Sequence, residues 1–121
     1  MTKIRFRIGG AEATATLRDN ETARDFASLL PLTVEMHDLL GREKAGQLPR
    51  PLAEGGEHQF GYEVGDVADW PPNHDVALFY ADDGQRTIPS PGIVPLATID
   101  SGLDVIASAG GDFQMTIEPL N

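Results

Sequence analysis

The stretch Gly65–Tyr80 reads GDVADWPPNHDVALFY, and its reading decides the fold. It sets the only tryptophan of the chain, Trp70, against Pro71 and Pro72, and then runs into a dense apolar segment, Val76 to Tyr80. Proline fixes φ and cannot donate to a sheet ladder, so the proline pair ends one strand and stiffens the turn into the next. Two strands of a compact β-domain, joined by a stiff, aromatic-capped turn, follow from these sixteen residues.

Working outward, the N-terminal residues 3–8 alternate Lys3, Arg5, Arg7 with Ile4, Phe6, Ile8. A period of two places the basic residues on one face and the apolar residues on the other, as in a half-buried strand. Gly9-Gly10 suits a tight hairpin turn, and residues 12–18 return as a second strand with Ala13, Ala15 and Leu17 inward. A helix is expected from about Thr22 to Leu30. Asp19 or Asn20 starts its turn, Thr22 and Asp25 have capping-box spacing, and Ala23, Phe26, Ala27 and Leu30 form one stripe. Pro31 ends it. Residues 32–40 alternate as a third strand, and Gly41 to Gly61 reads as the longest irregular segment, containing LPRPL (Leu48–Leu52). Such a loop is often a binding loop or a lid. Leu48 and Leu52 have the character to anchor it in the core, as a stiff loop pinned over the fold rather than as a polyproline ligand for a partner.

Downstream, strands are expected at about 62–64, 67–70, 76–80 and 93–99. Residues 85–93, with Pro89 and Pro91, read as loop. Ser101 is placed to cap a short helix over 102–109, Gly110-Gly111 stops it, and Phe113 to Glu118 alternates as a last strand. Seven or eight short strands and two short helices point to a mainly β, antiparallel architecture, and barrel closure removes its open edges. The 121 residues carry no composition shift or repeat, so residues 1–121 form one domain.

Composition narrows function. The chain has no cysteine, which excludes disulfides, thiol chemistry and cysteine-ligated zinc. Nineteen acidic against nine basic residues give a formal charge of −10, which repels a phosphate backbone, so no nucleic-acid partner is expected. No apolar stretch approaches the ~18 residues of a membrane span, and MTKIRFRIGG lacks the apolar core of a signal peptide. A cytoplasmic protein with no membrane partner is the expectation.

Several segments carry a family resemblance: Gly65-Asp66-Val67-Ala68-Asp69-Trp70-Pro71-Pro72 with Leu78-Phe79-Tyr80, and, elsewhere in the chain, Thr22-Ala23-Arg24-Asp25-Phe26 with Leu29-Leu30-Pro31-Leu32, Leu48-Pro49-Arg50-Pro51-Leu52, and Ile99-Asp100-Ser101-Gly102-Leu103. Together they span nearly the whole chain, which resembles the small bacterial and archaeal cyclophilin-like domain proteins. The resemblance implies a closed eight-stranded β-barrel with helices at its ends, the fold of the peptidyl-prolyl isomerases. The isomerases carry an arginine in a Phe-His-Arg run and a Phe-Met-x-Gln run around a proline pocket. Neither run occurs here, so no catalytic residue is carried over, and fold alone does not fix function.

Prolyl isomerisation asks for an apolar pocket and a cation that hydrogen-bonds the twisting amide. Arg50 and Arg86 are the candidate cations; Phe60, Tyr62, Trp70, Phe79 and Tyr80 are the candidate pocket. His37, His58 and His74 lie near Asp38, Glu57 and Asp75, but no HxH or HxxxH spacing is present, so no metal is expected. The serines lack a GxSxG elbow and the glycine pairs lack the lysine of a phosphate loop, so neither hydrolase chemistry nor a cofactor is expected. The reading is a binding module for a small molecule or short peptide in an aromatic-lined groove. The alternative is a weak peptidyl-prolyl cis-trans isomerase. The basic stripe Lys3, Arg5, Arg7 on an acidic protein leaves both a monomer and a homodimer open.

Overall fold

The computed structural model describes residues 2–120. Among them eight strands run in chain order: β1 (Lys3–Ile8), β2 (Ala11–Leu17), β3 (Leu32–Leu39), β4 (Glu43–Gln47), β5 (Asp66–Trp70), β6 (Asp75–Phe79), β7 (Val94–Ser101) and β8 (Phe113–Leu120). They close into one antiparallel barrel in the spatial order β1-β2-β7-β5-β6-β4-β3-β8, with β8 paired back onto β1. Helix α1 (Glu21–Ser28) lies against β7, and helix α2 (Leu103–Ser108) against β2. No helix of the described residues is long and apolar enough to cross a membrane.

The period-two reading of the terminal strands holds in three dimensions. Ile4 and Phe6 of β1, Ala13 and Ala15 of β2, Val34 and Met36 of β3, and Met115 and Ile117 of β8 all enter one buried core. The opposite face of β1 is polar and self-neutralised. Lys3 pairs with Asp100 at 3.0 Å, and Glu118 receives Arg5 at 2.8 Å and Arg7 at 3.4 Å. The stripe of three cations therefore meets acids of β8 and, across β2, of β7.

Helix α1 begins one residue before Thr22 and is capped by Asn20, whose Oδ1 accepts the Ala23 N–H at 2.7 Å. The capping box expected from Thr22 and Asp25 does not form, because both side chains serve the loop at 48–58 instead. Thr22 Oγ1 donates to the Ala53 carbonyl at 2.8 Å and accepts the Gly56 N–H at 3.0 Å. Asp25 holds Arg50 through two hydrogen bonds, at 2.8 and 3.0 Å, and also accepts the Ala53 N–H at 2.7 Å. With Leu48 and Leu52 in the core, LPRPL is a strap bolted to α1 over one end of the barrel.

Three expected elements differ. The segment 41–61 is not wholly irregular: β4 lies in it, and Glu43-Lys44-Ala45-Gly46-Gln47 shows no apolar alternation. Its inward side needs glycine, since a Cβ on Gly46 would sit 2.4 Å from the Glu35 carbonyl and 2.5 Å from Met36 Sδ. Residues 62–64 are not a strand; Gly61 makes only an isolated bridge to Thr87. Ser101 ends β7 and shares a hydrogen bond with Thr14 at 2.7 Å, while Gly102, at φ +83°, occupies the cap of α2. A side chain there would strike Ala13 Cα at 2.6 Å, so this close approach requires glycine.

Candidate binding cleft

Strands β4, β6 and β5 are covered on both sides. Val76 and Leu78 of β6 point into the barrel, whereas Ala77 and Phe79 belong to a second apolar cluster outside it, with Tyr62, Ala68, Ile88 and Ile93 buried there and Trp70 packed against it. Register explains the shape of this outer face. Ala45 pairs with Ala77, which pairs in turn with Ala68, so three methyl side chains stand in one row across three strands. Glu43 and Phe79 pair on one flank of that row, and Gln47, Asp75 and Trp70 form the row on the other. Small residues between two aromatics leave a depression.

The segment around 88–93 walls that depression into a cleft of about 230 Å³. Ala45, Ala77, Phe79 and Trp70 line it from the sheet, and Ile88, Pro89 and Ile93 from the covering segment. Its polar edge is Arg42, Glu43 and Asp75. The Arg42 guanidinium lies 5.3 Å from the Tyr62 ring centroid and 5.8 Å from that of Phe79, within cation–π range. The two rings stack at 4.2 Å with 19° between planes. Arg42 Nε donates to Glu43 at 2.8 Å, and Nη1 to Asp83 at 2.9 Å and to the Thr87 carbonyl at 3.2 Å. Burial pushes the Glu43 carboxyl up, with Arg42 opposing.

The seven residues picked from sequence do not converge on one groove. Trp70 and Phe79 line the cleft. Tyr62 is buried behind Phe79; its hydroxyl donates to the Ala81 carbonyl at 2.8 Å, and with Arg86 it borders a separate, open and polar depression. Arg86 is drawn to Glu63 and Asp82. Phe60 is exposed. Tyr80 packs toward the barrel core, donates to Asp38, and lies 4.8 Å under the Lys44 ammonium; the Asp38 hydrogen bond pushes its phenol up to about 12. Arg50 is spent on Asp25, and this pairing holds the Asp25 carboxyl down at about 2. Neither arginine proposed as the cation reaches the cleft; Arg42 does.

Arg42, Ala45, Ala77, Ile88, Pro89 and Ile93 escaped the sequence reading. Without β4, nothing placed Arg42 or Ala45 beside β6. A signal for the rest was present in Val76–Phe79, whose unbroken apolar run calls for cover on both faces.

A model of the cyclophilin-like family matches residues 6–118. The chain belongs to the cyclophilin-like family. Among solved structures it is similar to the solution structure of a hypothetical protein from Archaeoglobus fulgidus, with a TM-score of 0.76, 21% identity, and coverage of 98% of this chain and 95% of that one. That likeness concerns the fold. None of the curated proteins matches.

Proposed function

We propose that this cyclophilin-like protein is a binding module that takes a small molecule or the apolar side chain of a short peptide in the cleft between Trp70 and Phe79. The observation that carries the reading is the alanine row Ala45–Ala77–Ala68 between two aromatics, roofed by Ile88 and Ile93. It is a preformed apolar pocket with a few polar groups at its edge, the usual make-up of a ligand site. The Arg42 Nε and Nη1 donors are already taken by Glu43, Asp83 and Thr87. These bonds fix the guanidinium in place and leave Nη2 as its donor toward a ligand at the polar edge of the cleft.

The test uses Trp70 as its own reporter. Tryptophan fluorescence is titrated with a set of small apolar ligands and X-Pro tetrapeptides, with the wild type and with Ala77→Leu, which fills the floor. A saturable change lost in A77L, with the circular dichroism of the variant unaltered, is expected. Equal saturation in A77L contradicts the site.

A further inference from the structure

The two aspartates of Gly65–Trp70 have different fates. Asp66 accepts the Glu63 N–H at 2.8 Å and faces Arg18 at 3.8 Å. Asp69 is only 4% exposed, and its Oδ1 has no hydrogen-bond partner. Its strand neighbour across the ladder is Val76, a core residue, so alternation turns Asp69 to the inner side, at the barrel end that the strap covers. A buried carboxylate without a donor is costly, and native proteins pair such groups.

Asp69 borders a cavity of about 40 Å³ under the strap, sharing no lining residue with the Trp70 cleft. About 10–15 Å³ of such space holds one water, so the cavity takes two or three small heavy atoms. The other polar side chains around it are Thr22, Glu54 and His58. The Thr22 hydroxyl proton goes to Ala53. His58 Nδ1 lies 2.8 Å from the Pro91 carbonyl and so carries the proton, which leaves Nε2 as an acceptor when the ring is neutral. The side chains left to serve the cavity are therefore acceptors: the carboxylates of Asp69 and Glu54, and His58 Nε2. Among the described residues no group of three His, Cys, Asp or Glu is gathered to hold a metal ion.

We propose that this cavity is a site for a compact ammonium head, either the ammonium ion or a short primary amine such as methylamine, with Asp69 as its counter-ion. The ammonium ion brings four donors and a primary ammonium three, neither has an acceptor, and both complement the acceptor side chains of the lining, while the charge meets the buried carboxylate. The groups bearing on Asp69 are His74, His58 and Asp75, with Glu54 on the rim. Burial pushes the Asp69 carboxyl up to about 6. The site is thus charged and receptive at pH 7.5 and neutral at pH 5.

The test follows thermal unfolding in sodium phosphate, pH 7.5, with ammonium, methylammonium or tetramethylammonium chloride, each against sodium chloride at equal ionic strength. A saturable rise in Tm is expected with ammonium, methylammonium or both, and none with tetramethylammonium, which is too large and has no N–H. Asp69→Asn should weaken the apparent Kd at least tenfold, and pH 5 should weaken it in the wild type. No saturable rise, or the same rise in D69N, overturns the proposal. If D69N does not fold, amide shifts of the wild type on adding methylammonium decide instead. Changes centred on Gly56, His58 and Asp69 support the site, and changes elsewhere alone overturn it.

Discussion

Replacing Asp69 by asparagine should stabilise this protein, and by an amount that depends on pH. The carboxyl is 4% exposed and lies without a hydrogen bond to Oδ1. Its folded-state pKa is raised from 3.8 to about 6, chiefly by burial. A carboxyl raised on folding costs stability in its charged form. That cost is absent below the unfolded value, accrues as pH rises from 3.8 to about 6, and is complete above. Two units at 1.36 kcal/mol each make roughly 3 kcal/mol at pH 7.5. Asparagine carries no charge, so D69N should exceed the wild type by about 2–3 kcal/mol at pH 7.5 and by little at pH 4. Taking the difference between the two proteins at each pH removes the opposing contributions of Asp25, Asp38 and the other depressed carboxyls. Urea unfolding in sodium acetate and sodium phosphate, free of amines, measures it. A D69N minus wild-type difference that is flat from pH 4 to 7.5, or that favours the wild type at the upper end, refutes the reasoning.

Arg50→Ala should leave any ligand affinity of the cleft unchanged. It should lower stability only slightly, read as a small fall in the urea midpoint, because the ion pair to Asp25 is exposed on the arginine side. Asp25 is held low, at about 2, so its contribution is present above pH 4 and fades as pH falls toward 2; R50A should show a shallower loss in acid urea titrations. Gly46→Ala should cost about 1–3 kcal/mol or more, read as a fall in the urea midpoint, since its Cβ meets backbone and core atoms at 2.4–2.6 Å. Asn20→Ala should cost about 1 kcal/mol through loss of the α1 cap, measured the same way.

What could be read from the chain was what obeys a period. Strands β1, β2, β3 and β8 alternate strictly enough that their inward residues were legible, and Gly65–Tyr80 announced β5, the turn and β6. Strand β4 was hidden because its faces are set by tertiary packing. Lys44 is inward yet held by Asp38 at 3.1 Å and the Ala109 carbonyl at 2.6 Å, and Gly46 is dictated by the space beside Met36. Missing β4 hid the alanine row, because Ala45 joins Ala77 only by register. The cation of the cleft is hidden in the sequence for the same reason. Arg50 stands between two prolines and Arg86 three residues before Pro89, but Asp25 closes the first and Glu63 and Asp82 close the second. Arg42 reaches the cleft from the β3–β4 turn. Asp69 gave no local sign of burial without a partner; that follows from its ladder position beside Val76.

The most direct test of the cleft is a two-dimensional ¹H–¹⁵N titration of the labelled protein with an apolar X-Pro tetrapeptide. Saturable shifts gathered on Ala45, Trp70, Ala77, Phe79, Ile88 and Ile93 are predicted. Saturable shifts centred instead on the Tyr62–Arg86 depression or on the strap at 48–58 would contradict the account.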